Sequence, residues 1–281
     1  MICLEALEHQ TYPEELYEII VVDNGSEEDI APLVVEFSHV RYEYEPQTGS
    51  YAARNKGLEV ARGEVIVFTD SDCIPARDWI ELGVTELKNE PESGLVAGRI
   101  ELFFRRADDL TLAEHYERVK AFRQSRNVEK DHFGVTANLF TWRSVVDKVG
   151  PFDADLISGG DMEWGRRVFD SGYRLIYARE VLVNHPARHS ITQLVKKVVR
   201  TTKGGYGLTR FHRLKRYGPA YLAKWLVIWP YTDLLAFIGQ DDLGIGLRLR
   251  LVFLRLMLHY IHWWTVFWLL MQDLRLKVGV R

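Results

Sequence analysis

Two short apolar, β-branched runs each close on an acidic residue, and this feature constrains the fold more than any other. The first is Ile19-Ile-Val-Val22, followed by Asp23-Asn-Gly-Ser26; the second is Val65-Ile-Val-Phe-Thr69, followed by Asp70-Ser-Asp72. Runs of this length bounded by turn residues read as buried strands. Around them lie stretches of helical spacing at 27–37, at 50–62 with Ala52, Ala53, Leu58 and Ala61, and at 77–89. Val40 to Tyr44 alternates as a strand does, and residues 1–10 read as the end of a helix broken at Tyr12-Pro13. Strand, helix, strand, helix, strand is the order of an α/β layer with a largely parallel sheet. Ligands of such sheets bind outside the carboxyl ends of the strands, where Asp23 and the Asp70/Asp72 pair fall. Asp23 reads equally as a helix N-cap. Asp70 and Asp72 fit that plainer role less well, because carboxylates two residues apart repel unless something cationic lies between them.

Charge divides the chain near Pro186. The net charge of −3 hides 20 Lys+Arg against 35 Asp+Glu in residues 1–185, and 16 against 4 in residues 186–281. An acidic half suits divalent cations, and a basic tail suits an anionic surface. Nucleic acid is not expected as the partner, since the basic stretch leads into long apolar runs rather than a nucleic-acid motif. The two cysteines, Cys3 and Cys73, have no zinc or CxxC spacing and read as free thiols. No basic-then-apolar order opens the sequence, so the acidic half is expected to face the cytoplasm.

Further motifs carry a family resemblance. They are Gln10-Thr-Tyr-Pro13, Ile19 to Ser26, Gly49-Ser-Tyr-Ala-Ala-Arg-Asn-Lys-Gly57, Ala61 to Asp72, Asn138, Val149-Gly-Pro-Phe-Asp153, Gly159-Gly-Asp-Met-Glu163 and His185-Pro186. In this order and spacing, across about residues 1–190, the chain resembles family 2 inverting glycosyltransferases of the Rossmann-like GT-A fold. The resemblance implies transfer of a sugar from a nucleotide-diphosphate donor to a glycan or lipid-linked acceptor hydroxyl. Asp70-Ser-Asp72 looks like the family's DxD motif, with Asp72 on a Mn²⁺ or Mg²⁺ ion and Asp70 reaching the ribose or the metal through water. His185 matches a position that completes the metal shell; it also reads as an ordinary loop histidine. By resemblance Asp23 holds the nucleobase, and Arg54 lines the nucleotide pocket or braces the DxD loop. Asp161, opening a helix after Gly159-Gly160, matches the position of the general base. The family often has Glu-Asp where this chain has Gly160-Asp161. Asn138 and Glu163 are assigned to the acceptor side, Glu163 reading also as a first-turn acid paired with Arg167. A sugar-phosphate nucleotidyltransferase would open with a Gly-rich loop that is not seen here, and a non-catalytic membrane-bound remnant of the fold is the other alternative.

The expected division is a catalytic domain over 1–188 and a basic, apolar helical region over 189–281, associated with the cytoplasmic face of the inner or plasma membrane. Residues 190–217 read as a basic helix, and 221–239 as an apolar segment broken by Lys224, Pro230 and Asp233. From Leu247 to Met271 the chain is mostly apolar, with Arg248, Arg255, His259 and His262 on one helical face. An in-plane amphipathic helix, a spanning hairpin made with 221–239, and a helical subdomain packed on the catalytic domain all remain open. The first residues resemble the latter half of the family's first helix, as though its first strand were missing. In-frame codons upstream of Met1 are accordingly expected to encode about two dozen residues with a β-branched run, roughly what one strand and a turn require. Reading that DNA checks the expectation, and a stop codon directly before Met1 counts against it.

Overall fold

The structure, a computed structural model, describes residues 2–37, 39–206, 236–240 and 243–278. It divides into two compact units, residues 1–103 with 122–186, and residues 104–121 with 187–281.

The first unit is α/β. Helix α1 (Ile2–Glu8) precedes strand β1 (Ile19–Asp23), which pairs in parallel with β2 (Val40–Tyr44). The helix expected over 27–37 shrinks to α2 (Ala31–Val34), with Pro32 in its first turn. Helix α3 (Ser50–Val60) then leads to β3 (Val65–Thr69), the two-residue β4 (Ile74–Pro75) and α4 (Trp79–Asn89). After β5 (Ser93–Phe103) the chain leaves for the other unit as α5 (Leu112–Lys120). It returns through the short α6 (Gln124–Arg126) to β6 (Asn138–Trp142), α7 (Arg143–Val149), α8 (Gly160–Asp170) and β7 (Arg174–Pro186).

The main sheet has the order β3-β6-β5-β7-β4. It is mixed rather than largely parallel: β5 and β7 run parallel, and the other neighbours antiparallel. Helical crossovers read from the first three strands said nothing about β6, which enters between β3 and β5 in the opposite sense. Among the described residues β1 has only β2 as a partner and β3 only β6. Asn138 is fully buried at the start of β6. Its amide donates to the carbonyls of Arg99 and Val181 at 2.8 and 2.9 Å and accepts from the Trp79 indole at 2.9 Å. Satisfied on every side, it pins β5, β6, β7 and α4 together. The core beside it holds Trp79, Leu87, Val96, Phe140 and Val183.

The second unit is helical. Helix α5 packs Ala113 against Leu194 of α9 (Ile191–Gly205) and Leu254 and Leu258 of α10 (Ile245–Val278). Both α5 and α9 begin with capping boxes, at Thr111/Glu114 and Ser190/Gln193. These boxes satisfy amides that would otherwise lack partners in the first turn. Residues 104–121 join this unit because the inner face of α5 has its apolar partners here. Of the basic helix expected over 190–217, α9 covers the described part. Residues 221–235 of the expected apolar segment lie outside the described residues, and so does the hairpin reading that depends on them. Among the described residues no helix is long and apolar enough to cross a membrane.

Glu117, 2% exposed, accepts from the backbone and guanidinium of Arg188 at 2.9 and 3.1 Å and from Lys197 Nζ at 3.0 Å. Burial alone would raise its pKa; Lys197 and Arg188 outweigh burial and hold the carboxyl below the ordinary range. The resulting stabilisation is present above the unfolded carboxylate pKa and is lost as pH falls through the lowered folded value. Glu117→Gln leaves two cations facing a neutral amide and is expected to cost about 3–5 kcal/mol. Thermal melts of parent and variant from pH 7 downward check this: the gap should close as the parent carboxylate protonates.

Candidate active site

Asp70, at the end of β3, and Asp72 begin the turn into β4, and β4 pairs antiparallel with the end of β7, which carries His185. That register brings together residues more than a hundred positions apart. Ligand atoms of Asp70, Asp72, Cys73 and His185 all lie within 4.8 Å of one another. Asp72 is exposed and His185 is 6% exposed. His185 Nδ1 lies 2.8 Å from the Pro186 carbonyl. A carbonyl only accepts, so that nitrogen carries a proton, and in the neutral ring Nε2 is the one with the free lone pair. Nε2 points to Asp72 Oδ1, 4.0 Å away. Two carboxylates and a pre-oriented imidazole form a hard, mixed donor set that fits Mn²⁺ or Mg²⁺. The Cys73 thiol beneath them is fully buried, and burial first, then Asp70 and Asp72, pushes its pKa up to about 12. The oxygen and nitrogen ligand atoms of the cluster come from Asp70, Asp72 and His185.

Arg54, on α3, donates to Asp70 Oδ1 at 2.7 Å and to its own helix at Ser50 O. Its guanidinium also lies 5.5 Å from the Tyr51 ring centroid. It therefore braces the acidic turn. Asp23 is 8% exposed, accepting from the Ser26 amide at 2.9 Å and the Tyr42 hydroxyl at 3.1 Å. The Ser26 bonds chiefly, helped by Tyr42, hold its carboxyl below the ordinary range. It closes the turn after β1 rather than capping a helix, since α2 begins only at Ala31, and it remains ionised there.

Asp161 opens α8 after Gly159, whose φ of 87° suits a residue without a Cβ. Its Oδ1 accepts from the Tyr51 hydroxyl at 3.3 Å and from the Met162 amide at 3.0 Å. Burial raises the Asp161 pKa, and Arg54 with these hydrogen bonds offsets only part of the rise. A carboxylate displaced towards neutrality on a rigid helix start is the disposition that a general base needs. Glu163 is bound by Arg167 Nε at 2.6 Å, the first-turn pairing, and Arg167 also donates to Val149 and Pro151 carbonyls. Asn138, assigned by sequence to the acceptor side, lies instead inside the sheet with its amide fully engaged.

Three contributors escaped the sequence reading. Tyr51 sits within the Gly49–Gly57 motif, but nothing local points it at Asp161, 110 positions away. Gly160 lets the Tyr51 ring approach, since a Cβ there would lie 2.7 Å from it. Asn24 donates to Glu45 and Gln47 carbonyls and accepts from the Gly49 amide at 2.7 Å, tying the β1 turn to the start of α3. Its place between Asp23 and Gly25 was the available signal.

Known proteins similar to this chain include several glycosyltransferases. Residues 2–150 match the family described as Glycosyl transferase family 2. The chain is 36% identical over 244 residues to Glycosyltransferase AglE of Haloferax volcanii, covering 85% of this chain and 79% of that one. It shares its fold with a mannosyltransferase, PcManGT from Pyrobaculum calidifontis, in complex with GDP-Man and Mn²⁺. The TM-score is 0.59 at 19% identity, over 94% of this chain and 80% of the other. GalNAc-T7 with UDP, GalNAc and Mn²⁺ is similar at TM-score 0.53 and 16% identity, over 66% of this chain and 40% of that one. With the family match spanning more than half the chain and a glycosyltransferase relative aligned across most of it, this protein belongs to glycosyl transferase family 2 and has the GT-A fold.

Proposed function

We propose that this glycosyltransferase takes a nucleotide-diphosphate sugar as donor and moves the sugar to a hydroxyl of a glycan or lipid-linked acceptor with inversion at the anomeric carbon. The observation that carries the reading is the convergence of Asp70, Asp72 and His185 at one end of the sheet. Complexes of fold neighbours with GDP-Man, UDP and Mn²⁺ support it. Asp72 and His185 would hold the divalent cation, Mn²⁺ or Mg²⁺, with Asp70 kept in place by Arg54. The cation's chemistry is to offset the charge that builds on the departing diphosphate. Asp23 receives the nucleobase side of the donor. Asp161 takes the proton of the acceptor hydroxyl while that oxygen bonds to the anomeric carbon and the bond to the diphosphate oxygen breaks. The basic, apolar C-terminal unit suits an acceptor presented at the cytoplasmic face of the inner or plasma membrane.

Two substitutions separate donor binding from chemistry. Asp72→Asn is expected to abolish Mn²⁺-dependent binding of nucleoside diphosphates in a thermal-shift panel, and turnover with it. Asp161→Asn should keep that binding and lose roughly 10²–10⁴-fold in transfer. Parent-like transfer by Asp161→Asn would refute the base, and parent-like metal-dependent binding by Asp72→Asn would refute the cation site.

The raised Asp161 pKa also sets a pH dependence. Only the ionised form accepts a proton, so transfer falls as pH drops through a value above the ordinary carboxylate range. Tyr51→Phe removes a donor that favours the ionised form and moves this acid limb higher still, with donor affinity unchanged. Rates against pH at saturating donor decide the matter; an acid limb that does not move rules out the Tyr51 contact as a tuning interaction.

A further inference from the structure

Helix α10 turns polar residues inward beside Leu251, Leu254 and Leu258. His259 is 5% exposed. His262 Nδ1 lies 2.7 Å from the Thr202 hydroxyl of α9. Arg248 donates to the carbonyls of Leu243 and Ile238 at 2.7 and 2.9 Å. Of the polar face read from sequence, Arg248, His259 and His262 thus turn into the unit. On another face Leu249, Phe253, Tyr260, Trp264, Phe267 and Trp268 are between 46% and 71% exposed. Steps of three, four and seven residues keep them in one stripe, about 30 Å long at the helical rise. A contiguous apolar band of this size marks a contact surface.

The surroundings of the stripe select the partner. Lys196, Arg200 and Lys203 are exposed on α9 at helical spacing, forming a basic edge. Lys203 Nζ lies 5.7 Å from the Trp268 ring centroid, so edge and stripe adjoin. Near the other end Ile191, Leu249, Phe253 and Met257 line an apolar cleft of about 330 Å³, with Arg250 on its wall. Tyrosine and tryptophan rings suit the boundary between headgroups and acyl chains, and lysine and arginine suit lipid phosphates. We propose that the C-terminal unit docks in plane on an anionic bilayer through this α10 face, with Lys196, Arg200 and Lys203 on the headgroups. The proposal concerns this surface alone, and its failure leaves the transferase reading standing.

The test is flotation of the full chain with phosphatidylcholine vesicles, with and without phosphatidylglycerol, at low and high salt. Binding should require phosphatidylglycerol and weaken in salt. Lys196→Glu/Arg200→Glu/Lys203→Glu should lower partitioning about a hundredfold or more, at roughly fivefold per basic residue removed. Trp264→Glu/Phe267→Glu should abolish it. Quenching of the parent's tryptophan fluorescence by brominated lipid gives a measure that needs no variant, so a misfolded variant leaves the proposal testable. Absence of flotation and quenching overturns it, as does flotation unaffected by both sets of substitutions. Self-association that depends on Trp264, without vesicle binding, overturns it in favour of a second copy of the chain.

Discussion

The guanidinium of Arg54 lies between two carboxylates with opposite requirements. At 2.7 Å it binds Asp70 directly and holds the acidic turn open towards Asp72 and His185. On Asp161 its field acts without a direct hydrogen bond, and burial still prevails there. One cation thus anchors one acid, while on the other its field offsets only part of the rise that burial causes. Lysine could supply the charge, but not the planar fork that engages Asp70 and the helix backbone together. The position of α3 against β1 and β3 is therefore part of the site's electrostatics as well as of the fold.

Much of the first unit was legible because its signals are local. β1 and β3 are β-branched runs closed by acids, and α3 and α4 carry helical spacing between turn residues. The acidic turn announced itself for the same reason. What the sequence hid is set by register between distant segments. Nothing near Asn138 says that β5 and β7 will put two carbonyls against its amide, and nothing near Tyr51 says that α8 will start beside its hydroxyl. The antiparallel entry of β6 is hidden in the same way. For α10, periodicity identified the faces but not which one turns inward. That choice is made by α9, whose Thr202 offers a hydrogen bond to His262, and by α5, whose apolar side covers Leu254 and Leu258.

The second unit meets the cost of burying charge by concentrating it. Glu117 is buried with two cations on it and a backbone amide completing its shell. Ion pairs of this kind compare poorly with apolar packing for raw stability, yet they penalise any arrangement that separates the partners. Here the partners come from α5, from the segment after β7 and from α9. The pairing therefore fixes the register of an 18-residue excursion against helices that follow it by seventy to eighty positions.

Gly160 and Tyr51 occupy one volume between them. The tyrosine ring fills the space where any side chain at position 160 would begin, and its hydroxyl reaches the neighbouring Asp161. A side chain added at 160 alone creates a clash, and loss of the ring at 51 alone leaves a void. An acid could enter at 160 only alongside a smaller residue at 51. The two sites are therefore free to drift as a pair but not singly, and the ancestry of this pocket should be traceable through their joint identity.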